Sequence, residues 1–304
     1  RRPQGELASP DLENSEVFGV EKAVDYTWKD LTDAFACMEC GRCQDACPAF
    51  ASEKPLSPKM IIFNLKKHLL ASAAAVVKKD RDGLDPLMKD TFTDGEMWTC
   101  TTCGACMHVC PVEIEHIRKI IGIRQGQVLM EGKFPQELNN FFRSMETNAN
   151  PWGIGFAQRA DWADGLDIKL ISENPGTEFL FWVGCAGSFD DEGKKTTRAV
   201  ASLLKKAGIN FAILGTEEKC CGDSVKRLGN EYLFQMMAAE NISLFRAYDV
   251  KKIIVTCPHG YNAFHNEYKA MLDIIPGLTD EDKEAVRSIE VVHHVQLLRD
   301  LIDQ

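Results

Sequence analysis

The chain lacks several features that define common classes of protein. Its 304 residues contain no apolar run near the ~18 residues that a membrane-spanning helix needs. Neither a GxGxxG nor a P-loop motif is present, so the sequence shows no obvious site for flavin, nicotinamide or ATP. Basic residues are outnumbered by acidic ones, 35 to 45, and the net charge of −10 argues against a surface that binds nucleic acid.

No cysteine stands outside a motif typical of metal clusters, although the chain has 12 of them. Residues 37–48 and 100–111 both follow the spacing C-x2-C-x2-C-x3-C-P. A disulfide framework would need an oxidising compartment and usually a short chain. A zinc site usually takes two C-x2-C pairs instead. The doubled motif therefore predicts two 4Fe–4S clusters. Because no cysteine is left for a structural disulfide, the sequence also favours a reducing environment on the cytosolic side.

The fourth cysteine of each motif predicts an exchange of ligands between the two clusters. Because it precedes a proline, it is carried away from the face that the first three cysteines wrap, and in two-cluster ferredoxins it binds the other cluster. The ligands predicted for the first cluster are Cys37, Cys40, Cys43 and Cys110. Those predicted for the second cluster are Cys100, Cys103, Cys106 and Cys47. The exchange ties two distant segments together, so we expect the clusters to be structural as well as redox-active.

The apolar pattern predicts an α+β protein with two domains. Residues 1–16 are polar and without periodicity, which indicates a linker or arm. Residues 17–150 are predicted to form an α-helical ferredoxin domain, because the insert between the cysteine motifs has helical spacing. Within the insert, Ser57–Pro58 predicts an N-cap and the first position of a helix, and residues 80–95 are charged and indicate a loop. In residues 151–304 short apolar strands alternate with helices, which predicts a parallel, Rossmann-like α/β domain with right-handed crossovers. The predicted strands are 178–184, 210–214, 252–256 and 289–292.

The remaining cysteines each follow one of these predicted strands: Cys185, Cys220, Cys221 and Cys257. Ligands gather beyond the carboxyl ends of parallel strands, so these segments are predicted to converge on one site. The site either binds a third iron–sulfur cluster or holds buried structural thiols, since Cys is among the most buried residue types.

Histidines near the motifs are assigned weaker roles. His108 and His116 are expected to lie on the surface or to have hydrogen-bond partners, because the thiolate positions are already filled. His259 is a candidate to donate to a cluster sulfur or to shuttle a proton, with a structural hydrogen bond as the alternative. No catalytic residue is assigned.

The Cys…Cys-Cys-Gly…Cys order of the second half resembles the CCG domain of heterodisulfide reductases and related iron–sulfur oxidoreductases. In that family the domain holds an iron–sulfur cluster and follows a two-cluster ferredoxin domain. The cysteine motifs of this chain have the same order. Residues 18–22, 54–59, 150–153 and 291–294 resemble one membrane-bound branch, which passes electrons from electron-transfer flavoprotein to menaquinone. The resemblance covers residues 17–302.

This resemblance implies an iron–sulfur oxidoreductase that relays single electrons from a flavoprotein toward menaquinone. It implies electron-transfer flavoprotein and a quinone-binding membrane domain or subunit as partners, at the cytoplasmic face of a membrane. Two alternatives stay open. One is a heterodisulfide-reductase-like or 2-hydroxyacid dehydrogenase subunit, and the other is a wiring subunit of an electron-bifurcating complex.

The sequence departs from the family pattern in three respects. The family ends the third cysteine segment with C-x-x-C, whereas this chain has Gly260. The four cysteines that remain suit a cubane 4Fe–4S cluster or a depleted site better than a five-thiolate, non-cubane cluster. A second CCG domain and an N-terminal quinone-binding membrane domain are also missing from the sequence, so we expect it to be a piece of a longer protein.

Overall fold

The computed structural model describes residues 5–7 and 9–302. Contacts within the chain define two compact units. The first comprises the described residues through Pro135 together with Arg227–Glu231, and the second comprises Gln136–Lys226 and the described residues from Tyr232 onward. The helix that precedes residue 150 groups with the second unit, whereas we placed the domain boundary at residue 150.

The first unit consists of helices joined by turns, with no strand among its described residues, in agreement with the helical ferredoxin domain that we expected. Its elements are a 3-10 turn (Ala23–Asp25), α1 (Trp28–Ala36), α2 (Arg42–Asp45), α3 (Pro48–Ala51), α4 (Pro58–Ala71), α5 (Ala73–Lys78), α6 (Leu87–Asp90), α7 (Asp94–Trp98), α8 (Ala105–His108), α9 (His116–Gln125) and a π-helical turn (Gly126–Glu131). Residues 80–95, expected as loop, contain α6 and the start of α7. Helices of four or five residues are too short to show a periodic pattern.

Side-chain caps begin the two longest helices that precede the second cysteine motif. The hydroxyl of Thr27 accepts from the backbone N–H of Asp30 at 3.3 Å and starts α1. Ser57 accepts from the N–H of Met60 at 3.3 Å, and Pro58 takes the first position of α4, as predicted. The apolar face of α4 is buried in the core of the unit through Ile61, Ile62, Leu65 and Leu69.

The described part of the N-terminal segment packs on the first unit. Leu7 is buried in a small apolar cluster whose other members are Cys43, Cys106, Met107, Ile117 and Ile121. The N–H of Gly5 donates to the side chain of Glu115 at 3.0 Å. These contacts place part of a segment that we expected to be a linker directly beside cysteines of both motifs.

The second unit combines helices with a parallel sheet. Its elements, in chain order, are α10 (Glu137–Asn148), 3-10 turns (Phe156–Ala163 and Ile171–Glu173), β1 (Phe179–Trp182), α11 (Gly184–Phe189), α12 (Asp191–Lys206), β2 (Phe211–Ala212), a 3-10 turn (Gly215–Glu217), α13 (Asp223–Arg227), α14 (Glu231–Ala247), β3 (Lys252–Val255), α15 (Pro258–Asn262), a π-helical turn (Ala263–Glu267), α16 (Tyr268–Met271), α17 (Asp280–Ser288), β4 (Glu290–His293) and α18 (His294–Ile302).

The sheet has four parallel strands in the order β2-β1-β3-β4. Leu180 pairs with Ala212 on one side and Ile253 on the other, and Ile253 pairs in turn with Val291. All four predicted strands are confirmed, and their ends differ from the predicted ends by at most two residues. Both central strands are almost completely buried, which explains why each appears in the sequence as a continuous apolar run.

A buried ion network joins α1 and α9 in the first unit. The Lys119 side chain is 0% exposed, and its Nζ lies 2.7 Å from Asp33 Oδ2 and 3.3 Å from Asp30 Oδ1. Burial alone would raise the pKa of Asp33, but Lys119 and Lys29 lower it below its ordinary value of 3.8. The depressed pKa of Asp33 contributes stability that is present at neutral pH and is lost as the pH falls through it.

We predict that Lys119→Met lowers the free energy of unfolding of the first unit by about 3–5 kcal/mol, because it removes the fully buried cation that bridges Asp30 and Asp33. The two carboxylates then keep only the less buried cations Arg118 and Lys29. Urea denaturation followed by circular dichroism measures this loss. The matched control is Lys89→Met, which removes a cation from the exposed pair with Asp85 and is expected to change stability little. Equal effects of the two substitutions would contradict the prediction.

Candidate iron–sulfur sites

The structure brings the first predicted ligand set together around one cavity. The four thiols of that set all line it: Cys37, Cys40, Cys43 and Cys110. The cavity is also lined by Gly41, Arg42, Lys59 and His116. The pKa of Cys43 is raised to about 11, chiefly by burial and in part by the neighbouring sulfurs of Cys37 and Cys110. The fourth cysteine of the second motif therefore lies among the first three of the first motif.

The second set is assembled in the reciprocal way. Burial raises the pKa of Cys106 to about 12, with further contributions from the nearby sulfurs of Cys100, Cys103 and Cys47. Cys47 likewise adds to the raised pKa of Cys100, whose main cause is burial. Cys47 thus lies with the cysteines of the second motif, the arrangement that an exchange of fourth ligands requires.

The two sets meet in a single apolar cluster. Cys43 and Cys106, one from each set, are both buried there beside Leu7, Ile117 and Ile121. Their sulfurs interact electrostatically, which adds to the raised pKa of Cys106. Two metal clusters held by these sets would be neighbours with apolar side chains at the point where they approach.

Both motifs have the same uncommon backbone conformation. Glu39 and Thr102, each two residues after the first cysteine, have left-handed φ values of 55° and 56°. The N–H of Thr102 donates to Cys100 Sγ at 3.4 Å, and the N–H of Glu39 interacts in the same way with Cys37. Left-handed backbone is costly for residues other than glycine, so these positions are held by their surroundings.

Glycine is required two residues after each of these positions. Gly41 and Gly104 have φ values of 86° and 81° and begin helices α2 and α8. A Cβ would meet nothing within 4 Å at either glycine, so the backbone angle rather than lack of space demands this residue.

Two charged or polar side chains beside these sets are buried, which the sequence did not indicate. Arg124 is 2% exposed, and its Nη2 donates to the carbonyls of Met97 at 2.6 Å and Cys100 at 2.7 Å. His116 is 1% exposed rather than on the surface, and its Nδ1 has no hydrogen-bond partner among the described residues. Of the two alternatives expected for His116, a surface position is therefore not observed, whereas a hydrogen-bond partner is, since the imidazole interacts with the backbone of Ile114. Burial in a folded cavity leaves no periodic signal in the sequence. His108 is exposed, as expected.

The third group of cysteines also converges, in the second unit. Cys185 follows β1 and interacts by hydrogen bonding with Cys220, which is the main cause of its strongly raised pKa. A hydrogen bond with Cys220 lowers the pKa of Cys221, but burial and the charge of Cys257, which follows β3, raise it. The N–H of Gly222 donates to Cys220 Sγ at 3.5 Å. The predicted convergence at the carboxyl edge of the sheet is observed.

A buried ion pair lies directly beside this group. Arg159 is 1% exposed, and its Nη2 lies 3.1 Å from Glu218 Oε1 and 3.6 Å from Cys185 Sγ. Glu218 also accepts from the backbone N–H groups of Val183 and Gly184 at 2.9 and 2.8 Å. Burial alone would lower the pKa of Arg159, but Glu218 and Cys185 raise it well above its usual range. No motif marks either Arg159 or Glu218 in the sequence.

Gly260 occupies a position that a side chain would fit. Its Cβ would lie 3.6 Å from both Trp182 and Phe264, which is ordinary van der Waals contact. Its backbone is not among the glycines with positive φ. The backbone at this position would therefore accommodate the cysteine of the C-x-x-C pattern. Its absence is a difference in sequence and does not arise from the fold.

His259 lies at the edge of the third group. Its side chain is 63% exposed, and its Nδ1 is 2.5 Å from Oδ2 of Asp223, which is 2% exposed. The structure thus shows a hydrogen bond to a buried carboxylate, and a role of His259 toward a cofactor stays a prediction.

The donor sets fit iron–sulfur clusters. The thiolate is the ligand form of cysteine, so buried thiols with raised pKa values give up their protons on binding metal. Among residues 5–7 and 9–302 no three His, Cys, Asp or Glu side chains are arranged to hold a single metal ion. Four thiols around one cavity, as in the first set, are the arrangement expected when each binds a different iron of one cluster.

Comparison with known families identifies both halves. Residues 33–114 match the 4Fe-4S dicluster domain, and residues 179–265 match the cysteine-rich CCG domain. The chain accordingly contains a 4Fe–4S dicluster domain followed by a CCG domain, and the resemblance to iron–sulfur proteins of this organisation found in the sequence is confirmed.

Three relatives show which individual proteins the chain is similar to. The chain is 43% identical over 86% of its length to EtfAB:quinone oxidoreductase of Syntrophomonas wolfei, of which it spans 40%. It is 34% identical over 98% of its length to a protein named probable membrane-anchored ferredoxin of Chromohalobacter salexigens, of which it spans 45%. It is 27% identical over 90% of its length to one subunit of the heterodisulfide reductase of Methanosarcina barkeri, and it spans 64% of that relative.

The chain thus spans less than half the length of the first two of these relatives. No solved structure matches it. In the part of the chain that the structure describes, no helix combines the length and the apolar character needed to cross a bilayer.

We predict that the exchange of fourth ligands governs which cluster each substitution removes. Cys47→Ser is expected to lose the second cluster, about four irons per chain, and to give the same EPR spectrum as Cys103→Ser. Cys110→Ser is expected to match Cys40→Ser. Anaerobic iron analysis and EPR of the reduced variants test this. If Cys47→Ser matches Cys40→Ser instead, each motif binds its own cluster.

We also predict that Gly260→Cys changes the EPR spectrum of the third site while the signals of the first two clusters stay the same, because a new thiol would stand one helical turn from Cys257. Gly260→Ala is the matched control, since it adds the Cβ without the thiol. An unchanged spectrum in Gly260→Cys would indicate that the site is empty or that a group other than residue 260 caps it.

Proposed function

We propose that this chain relays single electrons through two 4Fe–4S clusters held by the exchanged cysteine sets and on to a third iron–sulfur cluster held by Cys185, Cys220, Cys221 and Cys257. The observation that carries the proposal is the meeting of Cys43 and Cys106 in one apolar cluster. Two redox centres that approach each other through buried side chains can exchange electrons directly.

The residues around the thiols serve this relay in three ways. Each cluster, when bound, gains or loses one electron with a change of one unit of charge. Leu7, Ile117 and Ile121 exclude water from the region where the first two sets meet. Backbone N–H groups, such as those of Thr102 and Ile114, donate to the cysteine sulfurs and tune their negative charge.

The third group lies at a favoured position in the sheet. Cys185 and Cys257 follow β1 and β3, the two neighbouring strands between which the strand order reverses. Ligands in open α/β sheets bind at such a switch point. The strand order β2-β1-β3-β4 therefore supports a Rossmann-like CCG domain with its ligand at this edge.

We further infer that electron-transfer flavoprotein is the donor and menaquinone the final acceptor. The name of the Syntrophomonas relative joins EtfAB to a quinone, and the segments around the cysteine motifs resemble the branch with that activity. A quinone-binding membrane domain or subunit would then be a partner at the cytoplasmic face of the membrane. The name of the membrane-anchored ferredoxin supports this location.

This proposal predicts about twelve irons and twelve labile sulfides per chain in an anaerobic preparation, with EPR signals from three clusters after reduction. It also predicts that reduced electron-transfer flavoprotein bleaches the visible absorbance of the clusters on mixing, and that a menaquinone analogue does not oxidise the isolated chain unless the membrane partner is added.

The matched control for electron transfer is Cys103→Ser, which is expected to keep the fold of the second unit but to slow the bleaching.

About eight irons would mean that the third site is empty. Reduction by a flavin dehydrogenase or hydrogenase but not by electron-transfer flavoprotein would favour a wiring subunit of another complex. Oxidation of the reduced clusters by a heterodisulfide would favour the heterodisulfide-reductase alternative.

A further inference from the structure

Arg159 is a buried cation whose hydrogen-bonding capacity is only partly used. A guanidinium carries five N–H donors and no acceptor. Nη2 of Arg159 reaches both Glu218 and Cys185, but its Nε and Nη1 have no hydrogen-bond partner among the described residues. Buried donors without partners are rare in folded proteins, and each one needs an explanation such as a bound group.

The ion pair with Glu218 does not by itself account for this arginine. Glu218 already accepts from the backbone N–H groups of Val183 and Gly184, which neutralise part of its charge. A buried ion pair is often no more stable than apolar residues of the same volume. The pair therefore needs a reason other than stability, and Cys185 at 3.6 Å from the guanidinium is the neighbour that can supply one.

The guanidinium is held in a fixed position beside the cysteines. Glu218 anchors it from one direction, and the ring of Phe189 lies with its centroid 5.5 Å from the central carbon of the guanidinium. Cys185 lies in the first turn of α11, three residues after β1, and Glu218 accepts from the N–H groups of the two residues that precede it. Arg159, Glu218 and the backbone at Cys185 thus form one connected unit.

We propose that Arg159 is a positioning residue for the third iron–sulfur cluster, whose guanidinium donates to the Cys185 thiolate and to cluster sulfur and so raises the reduction potential of that cluster. The inference rests on the proposed third cluster. Thiolate and sulfide sulfurs are acceptors of the kind that the unused N–H groups need. Each added electron makes the cluster more negative, and a fixed cation in a region of low dielectric favours the more negative state.

Arg159→Gln tests the proposal through the midpoint potential of the third cluster, measured by EPR-monitored redox titration. The equilibrium constant for reduction is expected to fall about tenfold, the scale of one hydrogen bond to a charged group, which is a shift of ~59 mV toward more negative potential for a one-electron couple. The first two clusters are internal standards and should not shift. Arg198→Gln is the matched control, because Arg198 is an arginine of the same unit bound to the backbone carbonyls of Trp162 and Asp164.

Further variants separate direct donation from a general effect of charge. Arg159→Lys keeps the charge but loses the planar group of donors, so its potential should fall by less than that of Arg159→Gln. Glu218→Gln leaves the cation without its counter-charge and should raise the potential. The double variant Arg159→Gln with Glu218→Gln restores the net charge of the native pair. Its potential should stay below the native value if Arg159 donates directly to the sulfurs.

A third cluster whose potential is the same in the native chain, in Arg159→Gln and in Arg159→Lys would overturn the inference and leave the proposed function standing. If Arg159→Gln does not accumulate, Arg159→Lys and Glu218→Gln carry the same test, and unchanged potentials in both would overturn it. An iron content near eight in the native chain would overturn the inference together with the proposed third cluster.

Discussion

The first unit depends on one buried ammonium group. Lys119 has no access to water, so Asp30 and Asp33 must compensate its buried charge. The two carboxylates lie on the helix that leads into Cys37, and Lys119 lies on the helix that follows Cys110. Electrostatics thus brings two distant parts of the chain into register and places their cysteines around one cavity without any covalent link.

The three groups of cysteines have different electrical surroundings. The first has the buried side chain of His116, whose pKa is lowered to about 4, chiefly by burial, so the imidazole is neutral at physiological pH. The second has the guanidinium of Arg124 hydrogen-bonded to the carbonyl of Cys100, and the third has that of Arg159 beside Cys185. Potentials of iron–sulfur clusters respond to nearby charge and hydrogen bonds, so clusters held by the three groups would differ in electron affinity.

The sequence predicted those parts of the molecule that local pattern encodes. The apolar strands, the cap of α4 at Ser57 and the gathering of cysteines at one sheet edge all follow from periodicity, composition and topology. The sequence did not reveal Arg159, Arg124 or the buried position of His116, because each depends on tertiary burial of a residue type that is usually exposed. The assignment of individual cysteines to clusters stays a prediction, although the structure places Cys110 and Cys47 as the exchange requires.

The left-handed backbone at Glu39 and Thr102 has a consequence for the speed of electron exchange. Two different side chains adopt the same unfavourable conformation at equivalent positions, so the surrounding fold, and not the residue, dictates the shape of each loop. A loop that is already in this shape and already directs an N–H at sulfur has little left to rearrange when a charge arrives or departs. A loop with this preformed shape would keep the structural cost of electron transfer small at a cluster that it holds.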